Sequence, residues 1–302
     1  MKISTLVPNV TEICVDGVAA VRIDGLDNFK ISQIFDCGQC FRFDPVKSPR
    51  HTFEFEGVAY GRYIRLGQDT TDSVTIYNTT LPEYEAVWKH YLALDLDYAA
   101  VRRDIAERFL IATGGRDTIM PRAMEYGDGI RILRQEPWEA VCSFIVSQNN
   151  NIPRIKKIIA AMSREWGEPI FFGGEVYYSF PTAEALVKAG EKAIFDLKTG
   201  FRAKYIYDAA CKAVNGDLDF AAITAASPEM AAQMLCSVKG VGPKVAACAM
   251  LFGFDKTEAF PIDVWIKRVL AKYYPDGLDI SALGKYAGIA QQYLFYYERY
   301  NA

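Results

Sequence analysis

A short glycine turn between two predicted helices is the feature that most constrains the fold of this 302-residue chain. The turn reads Gly-Val-Gly at positions 240–242, and Pro243 directly after it suits the first position of a helix. Upstream, Ser227 precedes a proline and is typical of a helix N-cap; the helix it opens runs to about residue 235. Because glycine has no side chain, the backbone N–H groups of such a turn can approach an anion closely. The pattern predicts a helix-hairpin-helix unit, which binds a phosphate backbone without sequence preference.

The charge of the whole chain gives no sign of an anionic partner. Its formal net charge is −3, whereas a basic patch or domain is the usual mark of nucleic-acid binding. Residues 235–272 are locally positive, and a segment of this length can equally be a solvated helix face. It holds six basic side chains, Lys239, Lys244, Lys256, Lys267, Arg268 and Lys272, against three acidic ones, Asp255, Glu258 and Asp263. Any contact with DNA is therefore expected to be local.

The cysteines and the hydropathy pattern indicate the cellular compartment in which the protein is expected to occur. Seven cysteines, an odd number, are scattered along the chain, which is typical of reduced thiols rather than of a disulfide framework. Cys37 and Cys40 have the spacing of half a zinc site, but no second pair accompanies them. No signal peptide and no apolar run of membrane-spanning length is present. We expect a cytoplasmic, nucleoid-associated protein with no membrane partner.

The hydrophobic periodicity changes near residue 95. Strand-like alternation occurs between residues 12 and 80, most clearly at 51–60 and 73–77. Amphipathic helical patterns begin at residue 97 and dominate to the C-terminus. We therefore expect an α+β fold, in which an N-terminal antiparallel β-sheet domain (residues 1–95) packs on a mainly α-helical domain (residues 96–302) that contains the helix-hairpin-helix.

Lys244 and Asp263 are the candidate catalytic pair. Lys244 lies in the first turn of the second hairpin helix, and Asp263 directly precedes the apolar-periodic segment 264–270 as a predicted N-cap. The helix carries the chain about 16 Å away and about eight connecting residues can span about 26 Å in return, so the two side chains can meet. An amine and a carboxylate suit N-glycosidic cleavage, because the carboxylate stabilises an oxocarbenium-like sugar while the amine attacks the anomeric carbon to give a Schiff base. A base inside a duplex cannot reach such a pair, so the nucleotide must be extruded.

Motifs spread over nearly the whole chain resemble those of the 8-oxoguanine DNA glycosylase/AP lyase family, a eukaryotic-type branch of the helix-hairpin-helix glycosylases that also occurs in bacteria and archaea. Besides the hairpin they are Gly-Gln-Cys-Phe-Arg at 38–42, Ile-Leu-Arg-Gln-Glu-Pro at 132–137, Cys-Ser-Phe-Ile at 142–145, Gln-Asn-Asn-Asn-Ile-Pro-Arg-Ile at 148–155, Gly-Phe-Arg-Ala-Lys-Tyr at 200–205 and Tyr-Ala-Gly-Ile-Ala-Gln at 286–291. The resemblance implies a bifunctional enzyme that excises 8-oxoguanine and then cuts the strand by β-elimination. Its implied partner is duplex DNA with the lesion opposite cytosine, with no obligate protein partner. Lys244 would be the Schiff-base nucleophile and Asp263 the catalytic carboxylate.

The resemblance also implies a pocket for the extruded base. Its members are Gly38, Phe41, Cys248, Phe252, Gln291 and Phe295. Gly38 would offer its carbonyl to the N7–H that 8-oxoguanine has and guanine lacks. Gln291 and Phe295 stand four apart on a predicted helix, so an amide for the base edge and a ring for its face point the same way. Cys248 would lie on the opposite face of the base, and Phe252 replaces a methionine that is familiar in the family.

A second implied set contacts the duplex. It consists of Asn149, Asn150, Asn151, Arg154, Phe201, Arg202, Gly240, Gly242 and Trp265. Asn149 matches the residue that fills the vacated space, and Arg154 and Arg202 match arginines that read an opposite cytosine. Phe201 stands where tyrosine is common and can wedge into the base stack. Trp265 stands where a histidine is familiar beside a phosphate, and an indole offers one donor and no charge.

The resemblance implies no required cofactor. It does imply a structural monovalent cation at the hairpin, held by backbone carbonyls. Those carbonyls belong to Cys236, Val238 and Val241.

Three other hypotheses fit parts of the pattern. A monofunctional helix-hairpin-helix glycosylase for another damaged purine would act by water attack and would not need an amine at Lys244. A non-enzymatic helix-hairpin-helix DNA-binding module would not need Asp263 or the pair of Gln291 and Phe295. A hairpin that serves only protein contacts would not need Asn149 and the two arginines of the opposite-base set.

Overall fold

The computed structural model describes residues 8–301. Its first part is a six-stranded antiparallel sheet with the strand order β1-β2-β6-β5-β4-β3. The strands are β1 Asn9–Val15, β2 Val18–Asp24, β3 Phe43–Pro45, β4 Phe53–Ala59, β5 Arg62–Gln68 and β6 Ser73–Tyr77. The alternating segments at 51–60 and 73–77 correspond to β4 and β6, so the predicted N-terminal antiparallel sheet is confirmed.

Two tight turns set the register of this sheet. Asp16 and Gly17 join β1 to β2, and Tyr60 and Gly61 join β4 to β5; all four residues have positive φ, from 52° to 79°. Two-residue turns with positive φ match the right-handed twist of the strands that they connect. Each hairpin is therefore fixed locally, before any long-range contact forms.

Helices make up most of the remaining chain, and the predicted α+β class is confirmed. They are α1 Ile31–Ile34, α2 Leu81–Glu83, α3 Lys89–Tyr91, α4 Tyr98–Ala112, α5 Ile119–Tyr126, α6 Pro137–Ser147, α7 Ile152–Trp166, α8 Ala183–Ile194, α9 Ala203–Asn215, α10 Phe220–Ala225, α11 Pro228–Cys236, α12 Pro243–Gly253, α13 Val264–Tyr273 and α14 Ala287–Asn301. Short turns of other helical types lie at Tyr84–Trp88, Phe195–Thr199, Gly200–Arg202 and Ile280–Tyr286, and a small hairpin pairs β7 Pro169–Phe172 with β8 Glu175–Tyr178. Between residues 8 and 301, no helix is both long enough and apolar enough to cross a membrane.

Two hydrophobic cores lie side by side. One core contains buried side chains of the sheet together with Trp88 and Leu133. The other contains the helical residues together with Cys37 and Phe41, which come from the loop after α1. Each core thus takes residues from both sides of position 95, and the domain boundary there stays a prediction.

The loop after α1 is tied to the helical part by the side chain of Gln39. This fully buried amide donates to the carbonyls of Ile34 (2.9 Å) and Arg131 (2.8 Å) and accepts a hydrogen bond from the N–H of Leu133 (2.8 Å). A buried amide without partners would cost free energy, so these bonds hold the loop in one position. The neighbouring Gly38 is thereby presented to the helical domain.

The glycine turn joins α11 to α12 and confirms the predicted helix-hairpin-helix. The N–H of Val241 donates to the carbonyl of Val238 (3.0 Å), and the N–H of Lys239 donates to Asp208 on α9 (2.7 Å). Gly240 has φ +75°, and a Cβ there would lie 2.4 Å from the ring of Tyr205. A Cβ on the next glycine, Gly242, would meet nothing within 4 Å. One glycine is therefore required by packing, while the other leaves an open surface at the start of α12.

We expect Gly240→Ala and Gly242→Ala to differ in stability. Alanine at 240 would adopt a left-handed conformation and strike Tyr205, which should lower the free energy of unfolding by about 1–3 kcal/mol. Alanine at 242, where φ is −104°, should change it by about 0.5 kcal/mol or less. Urea unfolding of both variants measures the difference, and equal losses would show that strain at Gly240 does not fix the turn.

Candidate active site

A cavity of about 990 Å³ opens where the hairpin meets the loop after α1, the α6–α7 loop and α14. It brings together both predicted catalytic residues and all six predicted base-binding residues. Of the predicted DNA-contacting set, the members that line it are Asn149, Asn150, Asn151, Phe201, Gly240, Gly242 and Trp265, whereas Arg154 and Arg202 lie outside the lining. Sequence positions from 38 to 295 thus converge on one cleft, and the roles assigned to them stay predictions.

Lys244 presents its amine to this cleft. It is the second residue of α12 and is half-buried. Across the described part of the chain, its Nζ forms no ion pair with a carboxylate and donates to no carbonyl, and its neighbour is the thiol of Cys248. Cys248 lies one turn further along α12; burial raises the pKa of its thiol to about 11, while Lys244 lowers that pKa and Asp263 raises it. Both the amine and the carboxylate are therefore close enough to act on this thiol, which is protonated at neutral pH.

Asp263 is held by the helix that it caps. Its Oδ1 accepts hydrogen bonds from the backbone N–H groups of Trp265 (3.0 Å) and Ile266 (2.9 Å) at the start of α13. The local sequence, an aspartate before an apolar-periodic helix, predicts this geometry. Within residues 8–301, Oδ2 accepts no hydrogen bond, so one carboxylate oxygen orients the side chain and the other stays free in a residue that lines the cavity.

Gly38 carries a free carbonyl between two that are occupied. The carbonyl of Cys37 accepts a hydrogen bond from Gln292 (2.7 Å), and that of Gln39 accepts one from Gln135 (2.7 Å). The Gly38 carbonyl accepts none from any described residue. Its φ of +78° is one that only glycine adopts readily. The loop thus exposes one hydrogen-bond acceptor to the cavity and uses its neighbours for anchoring.

Aromatic rings form the inner wall of the cavity. Phe252 stacks on Phe144, with ring centroids 5.2 Å apart and planes inclined by 18°, and Phe41 meets Phe144 edge-on at 5.9 Å. Phe144 belongs to the motif at 142–145, but its place in the pocket wall was not predicted, because it depends on a packing partner 108 positions away. The ring of Phe252 occupies this wall in place of a flexible thioether.

The C-terminal helix contributes one amide and one ring to the same cavity. Gln291 and Phe295 are four residues apart on α14 and both line it. Gln291 is 4% exposed, and its Oε1 is buried without a hydrogen-bond partner. A buried acceptor of this kind costs free energy unless a ligand supplies a donor.

The three asparagines of the α6–α7 loop make different contacts. Asn151 caps α7 by accepting from the N–H of Arg154 (3.0 Å), and Asn150 donates to the carbonyl of Val146 (3.0 Å). Asn149 has φ +47° and is exposed, and its side chain bonds to no described residue. Two of the asparagines therefore bond to the backbone of the loop and its flanking helices, and the third, Asn149, projects from the protein surface.

The two arginines of the opposite-base set differ in exposure. Arg202 is buried and donates to the backbone carbonyls of Gln148 (2.8 Å), Asn149 (2.9 Å) and Thr199 (3.1 Å). Burial lowers the pKa of Arg202, and the nearby charge of Arg154 lowers it further. Arg154 is exposed and makes one bond, to the carbonyl of Lys198 (3.2 Å). In this structure Arg202 holds the loop that carries Asn149, and Arg154 is the arginine that can reach a ligand.

Phe201 and Trp265, two departures from the family pattern, lie at the rim. Phe201 is 46% exposed, with the guanidinium of Arg202 4.5 Å from its ring centroid. Trp265 is half-buried, and the guanidinium of Arg268 lies 4.7 Å from its ring centroid. The uncharged indole therefore lies beside a guanidinium one helical turn further along α13.

Comparison with known proteins identifies the relatives of this chain. Residues 23–141 match the family model described as 8-oxoguanine DNA glycosylase, N-terminal domain, and residues 142–278 match that of the HhH-GPD superfamily base excision DNA repair proteins. A solved structure described as MBOgg1 in complex with a low-affinity DNA ligand is 36% identical, with a TM-score of 0.88 over 97% of this chain and 99% of that one. The Clostridium acetobutylicum 8-oxoguanine glycosylase/lyase, solved with double-stranded DNA containing cytosine opposite 8-oxoG, is 35% identical, with a TM-score of 0.86 over 97% of this chain and 98% of that one.

One curated relative matches a shorter stretch of the chain. The probable N-glycosylase/DNA lyase of Methanothermobacter thermautotrophicus is 32% identical over 179 residues, which are 53% of this chain and 57% of that protein. The chain thus spans little more than half the length of this relative. The two family models together with the near-complete match to a 36% identical structure show that the chain belongs to the 8-oxoguanine DNA glycosylase family of the HhH-GPD superfamily.

Proposed function

We propose that this protein is a bifunctional DNA repair enzyme that extrudes 8-oxoguanine from a duplex, releases the base and cleaves the strand at the resulting abasic site. The observation that supports this most strongly is that the Lys244 amine, which no carboxylate neutralises, and the free Oδ2 of Asp263 belong to one cavity. The amine distinguishes the proposal from a monofunctional glycosylase, which activates water instead. The carboxylate distinguishes it from a binding module.

Two steps follow from these two groups. As the bond between N9 and C1′ breaks, the base leaves with the electron pair, and Asp263 stabilises the positive charge that develops on the sugar. The Nζ of Lys244 forms a bond to C1′ and loses a proton, and opening of the sugar ring gives a protonated Schiff base. This electron sink acidifies C2′, so that removal of a C2′ proton expels the 3′ phosphate by β-elimination.

Lesion recognition rests on the free carbonyl of Gly38. The N7–H of 8-oxoguanine donates to it, whereas N7 of guanine is an acceptor and would place a lone pair against it. A buried acceptor left without a donor costs about 1–3 kcal/mol. Gln291 supplies a second acceptor, Oε1, for the N1–H and N2–H₂ groups of the base, while Phe295 and Cys248 lie against its two faces.

Duplex DNA is held at the rim of the cleft. The N–H groups at the start of α12 and the open surface at Gly242 suit a backbone phosphate, because the helix dipole favours an anion there. Asn149 projects far enough to fill the space that the extruded nucleotide leaves, and Phe201 can enter the adjoining base step. Arg154 is placed to read the orphaned base, for which we propose cytosine.

No cofactor enters this scheme, since Lys244 and Asp263 supply the reacting groups. We propose a monovalent cation at the hairpin, where its role would be structural. The carbonyl of Val238 already accepts from Val241, whereas those of Cys236 and Val241 accept no main-chain N–H from residues 8–301. Neutral carbonyl oxygens suit a hard cation of low charge.

We expect Lys244→Gln to abolish covalent trapping. In the wild type, borohydride should reduce the Schiff base on a duplex with one 8-oxoguanine opposite cytosine and leave a cross-linked band on a denaturing gel. Lys239→Gln, which removes an exposed amine five positions earlier in the same hairpin, is the control and should still trap. Wild-type base release without any adduct would instead show a monofunctional glycosylase.

We expect Asp263→Asn to slow base release by about 100-fold or more, because a neutral amide does not stabilise the oxocarbenium-like charge. Asparagine is also a good N-cap, so thermal stability should change little. Asp219→Asn is a matched control, because Asp219 caps α10 in the same way, accepting from the N–H of Ala222 at 3.0 Å. Single-turnover kinetics measure the rates, and full activity in Asp263→Asn would remove the carboxylate from the mechanism.

We expect Arg154→Ala to weaken the preference for cytosine over adenine opposite the lesion by roughly 5- to 100-fold, the range for a lost specific base contact. Lys157→Ala removes the same charge from an exposed position of α7 and should lower activity opposite both bases alike. Excision rates on the two duplexes give the comparison. Retention of the full preference in Arg154→Ala would assign it to other residues.

A further inference from the structure

We propose that Arg299 is a further specificity-determining residue of the base pocket, which donates a hydrogen bond from Nη1 to an oxo group beside N7 of the extruded base. The proposal rests on the proposed function, because it assumes that the cavity receives an oxidised purine. It adds a charged donor to a pocket whose other assigned polar groups at Gly38 and Gln291 are acceptors.

Arg299 continues a line of cavity-facing residues on α14. Gln291, Phe295 and Arg299 are spaced four residues apart, so they lie on one face of the helix. All three line the same cavity. The guanidinium carbon of Arg299 lies 6.0 Å from the ring centroid of Phe295 and 5.0 Å from that of Tyr300. The side chain therefore packs against the ring that is proposed to lie on the base.

The guanidinium of Arg299 has no partner for its inner nitrogen. Nη1 is buried and makes no hydrogen bond. Arg299 forms no ion pair with any carboxylate among residues 8–301, and the nearby Asp36 accepts instead from the hydroxyl of Tyr300 (2.5 Å). A buried cationic donor without an acceptor is costly. This donor is therefore in place before a ligand arrives.

The position of Nη1 relative to Gly38 indicates which atoms it can meet. A Cβ built on Gly38 would lie 3.5 Å from Nη1 and 3.6 Å from Cε1 of Phe295. The donor thus lies beside the loop whose free carbonyl is the proposed acceptor for N7–H. On 8-oxoguanine, N7–H is flanked by O6 and O8, both acceptors, so a donor beside the Gly38 carbonyl matches an oxo oxygen beside N7–H.

The burial of Nη1 favours the base over the sugar–phosphate backbone as its partner. Backbone phosphates of a duplex stay at the rim, where the start of α12 and the open surface at Gly242 face outward. Nη1 is buried beside Gly38, away from that rim, and is therefore closer to a base held at the Gly38 carbonyl than to a rim phosphate. The donor at Arg299 and the acceptors at Gly38 and Gln291 together form a polar pattern that is complementary to one oxidised purine.

The test uses the full chain carrying Lys244→Gln, which binds without reacting. Arg299→Met, which keeps a long apolar side chain and removes the donors, is added to that background. Dissociation constants are measured for a lesion duplex with 8-oxoguanine opposite cytosine and for an abasic duplex with tetrahydrofuran opposite cytosine. The background variant is also measured on an undamaged duplex with guanine opposite cytosine. We expect Arg299→Met to weaken binding of the lesion duplex roughly 10- to 100-fold, as for loss of a charged hydrogen bond, and that of the abasic duplex by about 2-fold or less.

Two further variants complete the test. Arg164→Met makes the same chemical change at an exposed position of α7 outside the cavity and should affect neither duplex by more than about 2-fold. Arg299→Lys keeps a cationic donor and should recover part of the lesion affinity; it also gives the same comparison if Arg299→Met fails to fold.

The outcomes separate this inference from the function on which it rests. Equal weakening for both duplexes would assign Arg299 to the DNA backbone and overturn the proposal, and so would no weakening at all. If the Lys244→Gln background itself did not bind 8-oxoguanine more tightly than guanine, the proposed function would fail first. A loss confined to the lesion duplex supports the inference. The same measurement with 8-oxoadenine, which keeps O8 but lacks O6, then shows which of the two oxygens Arg299 contacts.

Discussion

Three buried glutamine amides hold the loop after α1 against the helices, and the cavity depends on them. Gln39 binds the backbone at Ile34, Arg131 and Leu133, while Gln135 and Gln292 bind the carbonyls on either side of Gly38. An amide that loses its partners in a buried site costs about 1–3 kcal/mol, so each bond resists displacement of the loop. The sheet-bearing part of the chain thereby completes a cavity that the helices alone would leave open.

The proposed catalytic pair depends on a second, local constraint. Asp263 uses one oxygen as the N-cap of α13, and Lys244 follows the glycine–proline start of α12, so each residue is positioned by a helix N-terminus. Caps and turns are short-range features, which is why the sequence alone predicts them. The strands at 53–59 and 73–77 are predictable because their sequence pattern is equally short in range, although in the structure residues on both faces of each strand are buried.

Features that depend on distant partners could not be predicted in this way. Phe144 becomes part of the pocket wall only because it stacks on Phe252, and Gln292 reaches the backbone of Cys37 from 255 positions away. Arg202 matches a motif position, but its guanidinium bonds to loop carbonyls instead of projecting to the surface. The small β7–β8 hairpin inside the helical part was also not predicted, since its two strands have only four residues each.

The cavity contains more polar atoms than its aromatic wall indicates. These atoms explain how it could select one ligand over others of similar shape. Oε1 of Gln291 and Nη1 of Arg299 are both buried without partners, so the free protein bears a desolvation cost that a matching ligand removes. A ligand that lacks the matching groups leaves that cost in place. Under the proposed function, preorganised polar atoms would discriminate between 8-oxoguanine and guanine, because the two bases differ little in apolar surface and the aromatic wall would accept either.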